Sequence, residues 1–159
     1  MAYPVSSVPA AVAYLTTAFQ TQLSSDPNPG NITLFIGNDP GLSDTPDLVG
    51  IVNVTRTLEH FAMVGDGQDL SMYEKYAVYV RFACAQRAAN EGAAAAALAP
   101  RVWQLLAYCE YAVRLDPTLG GAVLSAWPGQ TEGGLVEVAP DGNGWICELT
   151  WKVDVEAVQ

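Results

Sequence analysis

The chain has 159 residues, the size of one domain, and we expect residues 1–159 to form a single domain. Half of the residues are hydrophobic and 15% are charged, which excludes wholesale disorder. Seven Lys and Arg stand against 17 Asp and Glu, so the formal net charge is -10. This balance argues against a basic nucleic-acid groove and a polybasic membrane patch. The sequence also lacks an apolar run of about 20 residues and a basic N-terminal region, so we expect neither a transmembrane helix nor a secretory signal.

The first predicted element is a helix from about residue 8 to residue 24. Ser7 is a plausible N-cap, and Pro9 lies in the first turn, where a missing N–H costs nothing. Apolar residues recur at steps of three and four and predict one buried stripe, formed by Val8, Val12, Leu15, Phe19 and Leu23. A short β-rich segment, residues 32–36, predicts the first strand, and a loop follows it to residue 47.

Two long strands around a polar turn predict a β-hairpin between residues 48 and 86. The first strand, residues 48–63, alternates imperfectly, which indicates either a bulge or a strand that projects past the sheet. The second, residues 72–86, alternates cleanly, with one apolar face formed by Tyr76, Val78, Val80, Phe82 and Cys84. Strands in globular proteins usually have about five or six residues. Because these are longer, we expect a long projecting hairpin whose tip, Phe61 to Met72, extends from the core.

The second half predicts one more helix and further strands. The helix runs from about residue 93 to residue 115, with Pro100 near its true start or at a kink. A turn at residues 116–121 leads to a strand at 122–127, a possible short strand at 135–138 and a regular strand at 145–155. The order indicates an α+β fold, a mostly antiparallel sheet with two helices packed on one face. Its expected core contains Val78, Val80, Phe82, Leu149, Trp151 and Val153 beneath Val12, Phe19, Val102 and Leu106.

The sequence predicts neither an active site nor a cofactor site. His60 is the one histidine, and no nucleophile motif lies near it. The three cysteines are widely spaced without a CxxC pair, and we interpret them as small buried hydrophobic residues. The glycine-rich phosphate-binding motifs are missing, and the acidic turn at residues 66–69 lacks the spacing of a calcium loop. We therefore expect a protein that is not an enzyme and that holds no metal or cofactor.

Two segments of the chain carry a resemblance to a known family. The first is V-S-S-V-P-A-A-V at residues 5–12, which runs into the amphipathic helix and the short strand. The second extends from R-V-W at residues 101–103 through V-R-L-D-P-T-L-G-G-A-V at residues 113–123. With a long hairpin between them and a final strand after them, this layout resembles the tail terminator (tail completion) proteins of long-tailed bacteriophages, most closely those of phages infecting high-GC bacteria. The resemblance spans most of the chain.

The resemblance implies a fold and a role. Such proteins have an α+β domain with a sheet and flanking helices, and they form a hexameric ring at the head-proximal end of the tail tube. The ring stops tube polymerisation and offers a docking surface for head-completion or neck proteins. DNA passes through it without specific binding. The implied location is the neck region of the virion tail, assembled in the host cytoplasm, with no membrane partner and no cofactor.

Two sets of residues are candidates for these contacts. We expect the hairpin tip to contact a neighbouring subunit or the tail tube through four apolar side chains, namely Phe61, Met63, Leu70 and Met72. An acidic lumen would repel the DNA phosphates and prevent sticking. Its candidate residues lie near the hairpin turn and on the polar face of the last strand: Asp66, Asp69, Glu148, Asp154 and Glu156.

Three other interpretations stay open at this point. Another neck component, such as a head–tail joining or stopper protein, also forms rings. A small enzyme of unfamiliar type is a different class, and the lack of paired His, Cys or Ser motifs argues against it. A small acidic adaptor domain outside any virus is the third. The oligomeric state separates the ring-forming classes from the adaptor, which would be a monomer.

Overall fold

The computed structural model describes residues 5–38, 45–60, 72–87 and 90–159. In chain order the elements are α1 (Val8–Leu23), a 3-10 turn (Pro29–Asn31), β1 (Ile32–Ile36), β2 (Asp47–His60), β3 (Met72–Gln86), α2 (Glu91–Leu115), β4 (Ser125–Val138) and β5 (Trp145–Val158). The five strands form one sheet in the order β1-β2-β3-β5-β4. β1 pairs parallel to β2, and the other neighbours are antiparallel. The α+β class with a mostly antiparallel sheet is confirmed.

The core lies between one face of the sheet and the two helices. Trp151 at the centre of β5 is fully buried, and its ring lies 6.2 Å from that of Phe19 on α1 and 6.3 Å from that of Phe82 on β3. All of the predicted core residues are buried except Val12, which is half-buried at the rim. The matched periods of strands and helices thus identified one continuous apolar layer.

The buried side of helix α1 agrees with most of the predicted apolar stripe. Leu15, Phe19 and Leu23 are buried, and Ala11 is buried with them, whereas the predicted Val8 is only partly buried. The helix begins directly after Ser7, as expected. The Ser7 hydroxyl makes no capping bond to the helix, because it hydrogen-bonds to a carboxylate on β3 instead.

The hairpin strands β2 and β3 pair from Asp47 opposite Cys84 to His60 opposite Met72. A register shift between Ile51 and Asn53 confirms the predicted bulge in β2 and explains its imperfect alternation. β5 pairs with β3 along residues 73–86, so the described part of the hairpin lies within the sheet. A neighbouring strand of similar length therefore supports these residues, and the projection expected of the tip stays a prediction. The tip, residues 61–71, lies outside the described residues.

Helix α2 starts earlier than predicted. It begins at Glu91, because the side chain of Asn90 accepts a hydrogen bond from the Ala93 N–H at 2.9 Å and caps the first turn. Pro100 consequently lies inside the helix rather than near its start. Its missing N–H leaves the carbonyl of Ala96 without a helical partner, and Ala96 is exposed to water.

Strand β4 is one continuous strand, whereas two separate short strands at 122–127 and 135–138 were predicted. Two register shifts, between Pro128 and Thr131 and between Gly133 and Val136, hide its alternation in the sequence. β4 forms an edge of the sheet and pairs with β5 on one side only. A proline and bulges are tolerated there, because no second neighbouring strand needs hydrogen bonds from β4.

Candidate interaction surfaces

The face of the sheet that points away from the helices, here called the open face, is broad and polar. Strands of 14 or 15 residues build most of it, each about 45–50 Å long at about 3.3 Å per residue. By strand register, the described residues place six carboxylates and three cations on it: Glu59, Glu132, Glu137, Glu148, Asp154 and Glu156 with Lys75, Arg81 and Lys152. The open face therefore carries a surplus of negative charge.

The predicted lumen acids of β5 lie on the open face, and each has a cation nearby. Arg81 forms an ion pair with Glu148, and Lys152 approaches Asp154 to 3.3 Å. Glu156 is opposite Lys75 in the register. Hydrogen bonding and ion pairing with Glu59, at 2.9 Å, together with the charge of Glu156, raise the pKa of Lys75. The sequence pattern did not identify Glu132 and Glu137 on the same face, because it did not recognise β4 as one strand.

The predicted apolar contacts of the hairpin tip are described only in part. Phe61, Met63 and Leu70 lie outside the described residues, as do the acidic candidates Asp66 and Asp69. Met72, the first residue of β3, is half-buried. The interface and lumen roles of these residues stay predictions.

A small apolar cluster interrupts the polar open face near β1. Leu48, Ala83 and Ile146 are buried there, and Phe35 of β1 packs against them. The Phe35 ring lies directly over Gly50, where an added Cβ would come within 2.1 Å of the ring. Only glycine at this position lets the ring approach the sheet so closely.

A buried carboxylate anchors the start of α1 to the sheet. Glu74 of β3 is fully buried and receives hydrogen bonds from the Ser6 hydroxyl (2.5 Å), the Ser7 hydroxyl (2.7 Å) and the Ser7 N–H (3.0 Å). Arg56 of β2 forms an ion pair with the same carboxylate. Burial by itself raises the pKa of Glu74, but the bonds from Ser6, Ser7 and Arg56 outweigh it and lower the pKa from 4.5 to about 2.

A second buried ionic cluster joins the end of α1, the start of β2 and α2. Arg101 donates to Asp26 through Nη1 at 2.6 Å and to Asp47 through Nε at 2.8 Å, and both aspartates are buried. Tyr108 also donates to Asp26, at 3.3 Å. The bond from Arg101 outweighs the effect of burial and lowers the pKa of Asp26. This arrangement satisfies two carboxylates that the fold removes from water.

The D-P-T-L-G-G run at residues 116–121 is a side-chain-stabilised turn. Asp116 accepts bonds from the Thr118 hydroxyl (2.7 Å) and the Gly120 N–H (2.8 Å), and from the Tyr14 hydroxyl of α1 (2.8 Å). Bonds from Thr118, Tyr14 and Gly120 lower the pKa of Asp116 to about 2. The turn thereby ties the end of α2 to α1.

Helix α1 and edge strand β1 present a surface without exposed charge. From Val5 to Asn38 the sole charged residue is Asp26, and it is buried. A groove of about 700 Å³ runs between the helix and the strand, lined by small or uncharged side chains. We call this the α1–β1 surface and define it by Thr17, Gln20, Thr21, Leu34 and Ile36.

A second uncharged surface lies on the outer side of α2 beside β4. Pro100, Trp103, Ala107 and Tyr111 are exposed along one side of the helix. The Trp103 ring packs over Gly134 of β4, where an added Cβ would come within 2.9 Å of it, and the adjacent Leu135 is 79% exposed. We call the four helix side chains, Pro100, Trp103, Ala107 and Tyr111, the α2–β4 surface.

The described residues contain no group of three or more His, Cys, Asp or Glu placed to hold a metal ion. Cys84, Cys109 and Cys147 are free and buried, as the sequence predicted, and burial raises the pKa of each thiol. The backbone of His60 ends β2. None of the described helices is long and apolar enough to span a membrane.

No protein-family model matches the chain, and no curated protein matches it. Among solved structures, it is similar to a chain from the virion of a native gene transfer agent particle. The two share 13% identity over 93% of this chain and 98% of the other, with a TM-score of 0.35.

Proposed function

We propose that this chain is a structural, non-enzymatic subunit of a phage-like virion that acts as a tail terminator. In this proposal about six copies form a ring at the head-proximal end of the tail tube. The ring stops tube polymerisation and docks the head-completion or neck protein. Its partners are thus further copies of itself, the tube protein and a neck protein.

The observation that carries the proposal is the packing of the two segments on which the family resemblance rests. Tyr14 of α1 donates to Asp116, and Arg101 of α2 donates to Asp26 just after α1. The residues that resemble the family are therefore one structural unit, the helical layer over the sheet. A fold shared with that family would require these segments to pack together, and in this sense their packing supports the proposal.

The open face supports the conduit part of the proposal. Its carboxylates outnumber its cations, and three of those carboxylates, Glu148, Asp154 and Glu156, are the predicted lumen residues. A surface of mixed sign with a negative surplus repels DNA phosphates weakly and offers few cations that could hold them. DNA would pass such a face without gripping it.

The test asks whether the protein limits the length of tail tubes. A phage tail tube protein is polymerised with and without the purified protein, and electron microscopy measures the tube lengths. We expect capped tubes that stop growing, with a ring density at one end. Tubes that lengthen equally in both reactions would contradict the proposal.

A second measurement tests the conduit. The purified protein should show no salt-sensitive binding to duplex DNA at low ionic strength, where electrostatic attraction is strongest. Tight binding that weakens steeply with added salt would overturn the acidic-conduit role and favour a nucleic-acid-binding function.

A further inference from the structure

We propose that the α2–β4 surface of one copy binds the α1–β1 surface of the next copy, so that the chain associates head to tail. This proposal adds a subunit contact to the proposed function. The closure of the contacts into a ring rests on that proposed function. The subunit contact is assigned to described residues of the helical layer and of β1, which the sequence pattern did not single out.

Charge repulsion between copies is the reason for choosing these two surfaces. With a formal net charge of -10, two copies repel each other, and the repulsion is smallest where neither surface carries charge. The α1–β1 surface belongs to a 34-residue stretch whose single charge is buried, and the exposed residues of α2 between Ala96 and Ala107 are also uncharged. By contrast, the open face carries six carboxylates per copy. A second copy can therefore approach closely along the two uncharged surfaces.

One surface offers exposed aromatic side chains and the other a groove that can receive them. The α2–β4 surface bears Tyr111 and Trp103, which are 55% and 46% exposed. The α1–β1 surface contains the groove of about 700 Å³, large enough for an aromatic anchor, with Ile36 57% exposed at its edge. Tyr and Trp are among the residue types that dominate binding energy at interfaces, and here they would enter an uncharged groove.

The positions of the surfaces favour a head-to-tail contact. β1 and β4 are the two edges of the sheet, and α1 lies against β1 while α2 lies against β4. The two surfaces are thus on opposite sides of the molecule. Two different surfaces on opposite sides give a heterologous contact, which propagates from copy to copy and closes into a ring when the rotation permits.

The test uses two variants that each block one surface. Ala107→Glu with Tyr111→Glu blocks the α2–β4 surface, and Thr17→Glu with Thr21→Glu blocks the α1–β1 surface. All four side chains are exposed, so each variant should fold, as circular dichroism and the unfolding midpoint will show. The control, Gln130→Glu with Thr150→Glu, adds the same charge at exposed positions of the open face.

Mass photometry and analytical ultracentrifugation measure association. We expect the wild type and the control to form the ring, and each blocked variant alone to be a monomer with association at least about 100-fold weaker. An equimolar mixture of the two variants should form a 1:1 dimer and stop there, because each copy retains one competent surface.

Four outcomes would overturn the contact: a wild type that stays monomeric, a blocked variant that assembles like the wild type, a blocked variant that forms homodimers, or a mixture that stays monomeric while the wild type forms rings.

The tube assay separates this inference from the function. Rings that obey the blocking pattern but fail to cap tubes contradict the terminator role alone. Blocked variants that still form tube-capping rings contradict the contact alone.

Discussion

Replacing Glu74 with Gln tests whether the buried carboxylate fastens α1 to the sheet. Glutamine keeps the size of the side chain but removes the charge that accepts bonds from Ser6, Ser7 and Arg56. The change leaves the Arg56 guanidinium, which is partly buried, without its counter-charge. We expect the protein to fold but to lose stability, with the start of α1 detached first.

The magnitude follows from the pKa of Glu74. A carboxyl group whose pKa falls from 4.5 in the unfolded chain to about 2 in the folded protein contributes about 3 kcal/mol to the free energy of unfolding at pH 7. Because the folded-state pKa is the lower one, this contribution is complete above about pH 5 and is lost as the pH falls toward 2. At pH 3 less than half of it should remain.

Urea unfolding of the wild type and of Glu74→Gln at pH 7 and pH 3 measures this contribution. The difference in unfolding free energy should be about 3 kcal/mol at pH 7 and about 1–1.5 kcal/mol at pH 3. Glu132→Gln, an exposed carboxylate of the open face, is the matched control and should change stability by less than about 0.5 kcal/mol. A difference below 1 kcal/mol at pH 7, or one that does not vary with pH, would refute the reasoning.

Three further substitutions probe the core and the helix contacts. Trp151→Ala should lower the free energy of unfolding by about 3–5 kcal/mol, because it empties the centre of the core, and a loss under 1 kcal/mol in urea titration would contradict that position. Arg101→Met should cost about 3–5 kcal/mol at pH 7, because two buried carboxylates lose their cation, and the loss should diminish in acid as Asp26, whose pKa Arg101 lowers, becomes protonated. Gly50→Ala should displace the Phe35 ring and lower the thermal midpoint, whereas Gly30→Ala, where no atom lies within 4 Å of the added Cβ, should change it little.

The sequence by itself determined the local structure of this protein. A period of two predicted which residues of β3 and β5 face the core, from Val78 on one strand to Trp151 on the other, and the steps of three and four predicted most of the α1 stripe. The pattern also indicated the bulge in β2. These features depend on residues close together in the chain, whose periodicity directly reports which side meets the apolar layer.

Only the tertiary structure decided the strand order, the continuity of β4 and the roles of the buried charges. Glu74 is bonded by Ser6 and Ser7, 68 and 67 residues away, and Arg101 reaches Asp47 across 54 residues. A carboxylate on an amphipathic strand is ordinarily solvated, so its burial depends on distant donors that no local pattern contains. The two uncharged surfaces likewise became opposite sides of one molecule only when β1 and β4 took the two edges of the sheet. Pairing between distant segments sets that arrangement, since the strand register and order minimise the free energy of the whole fold rather than of any one element.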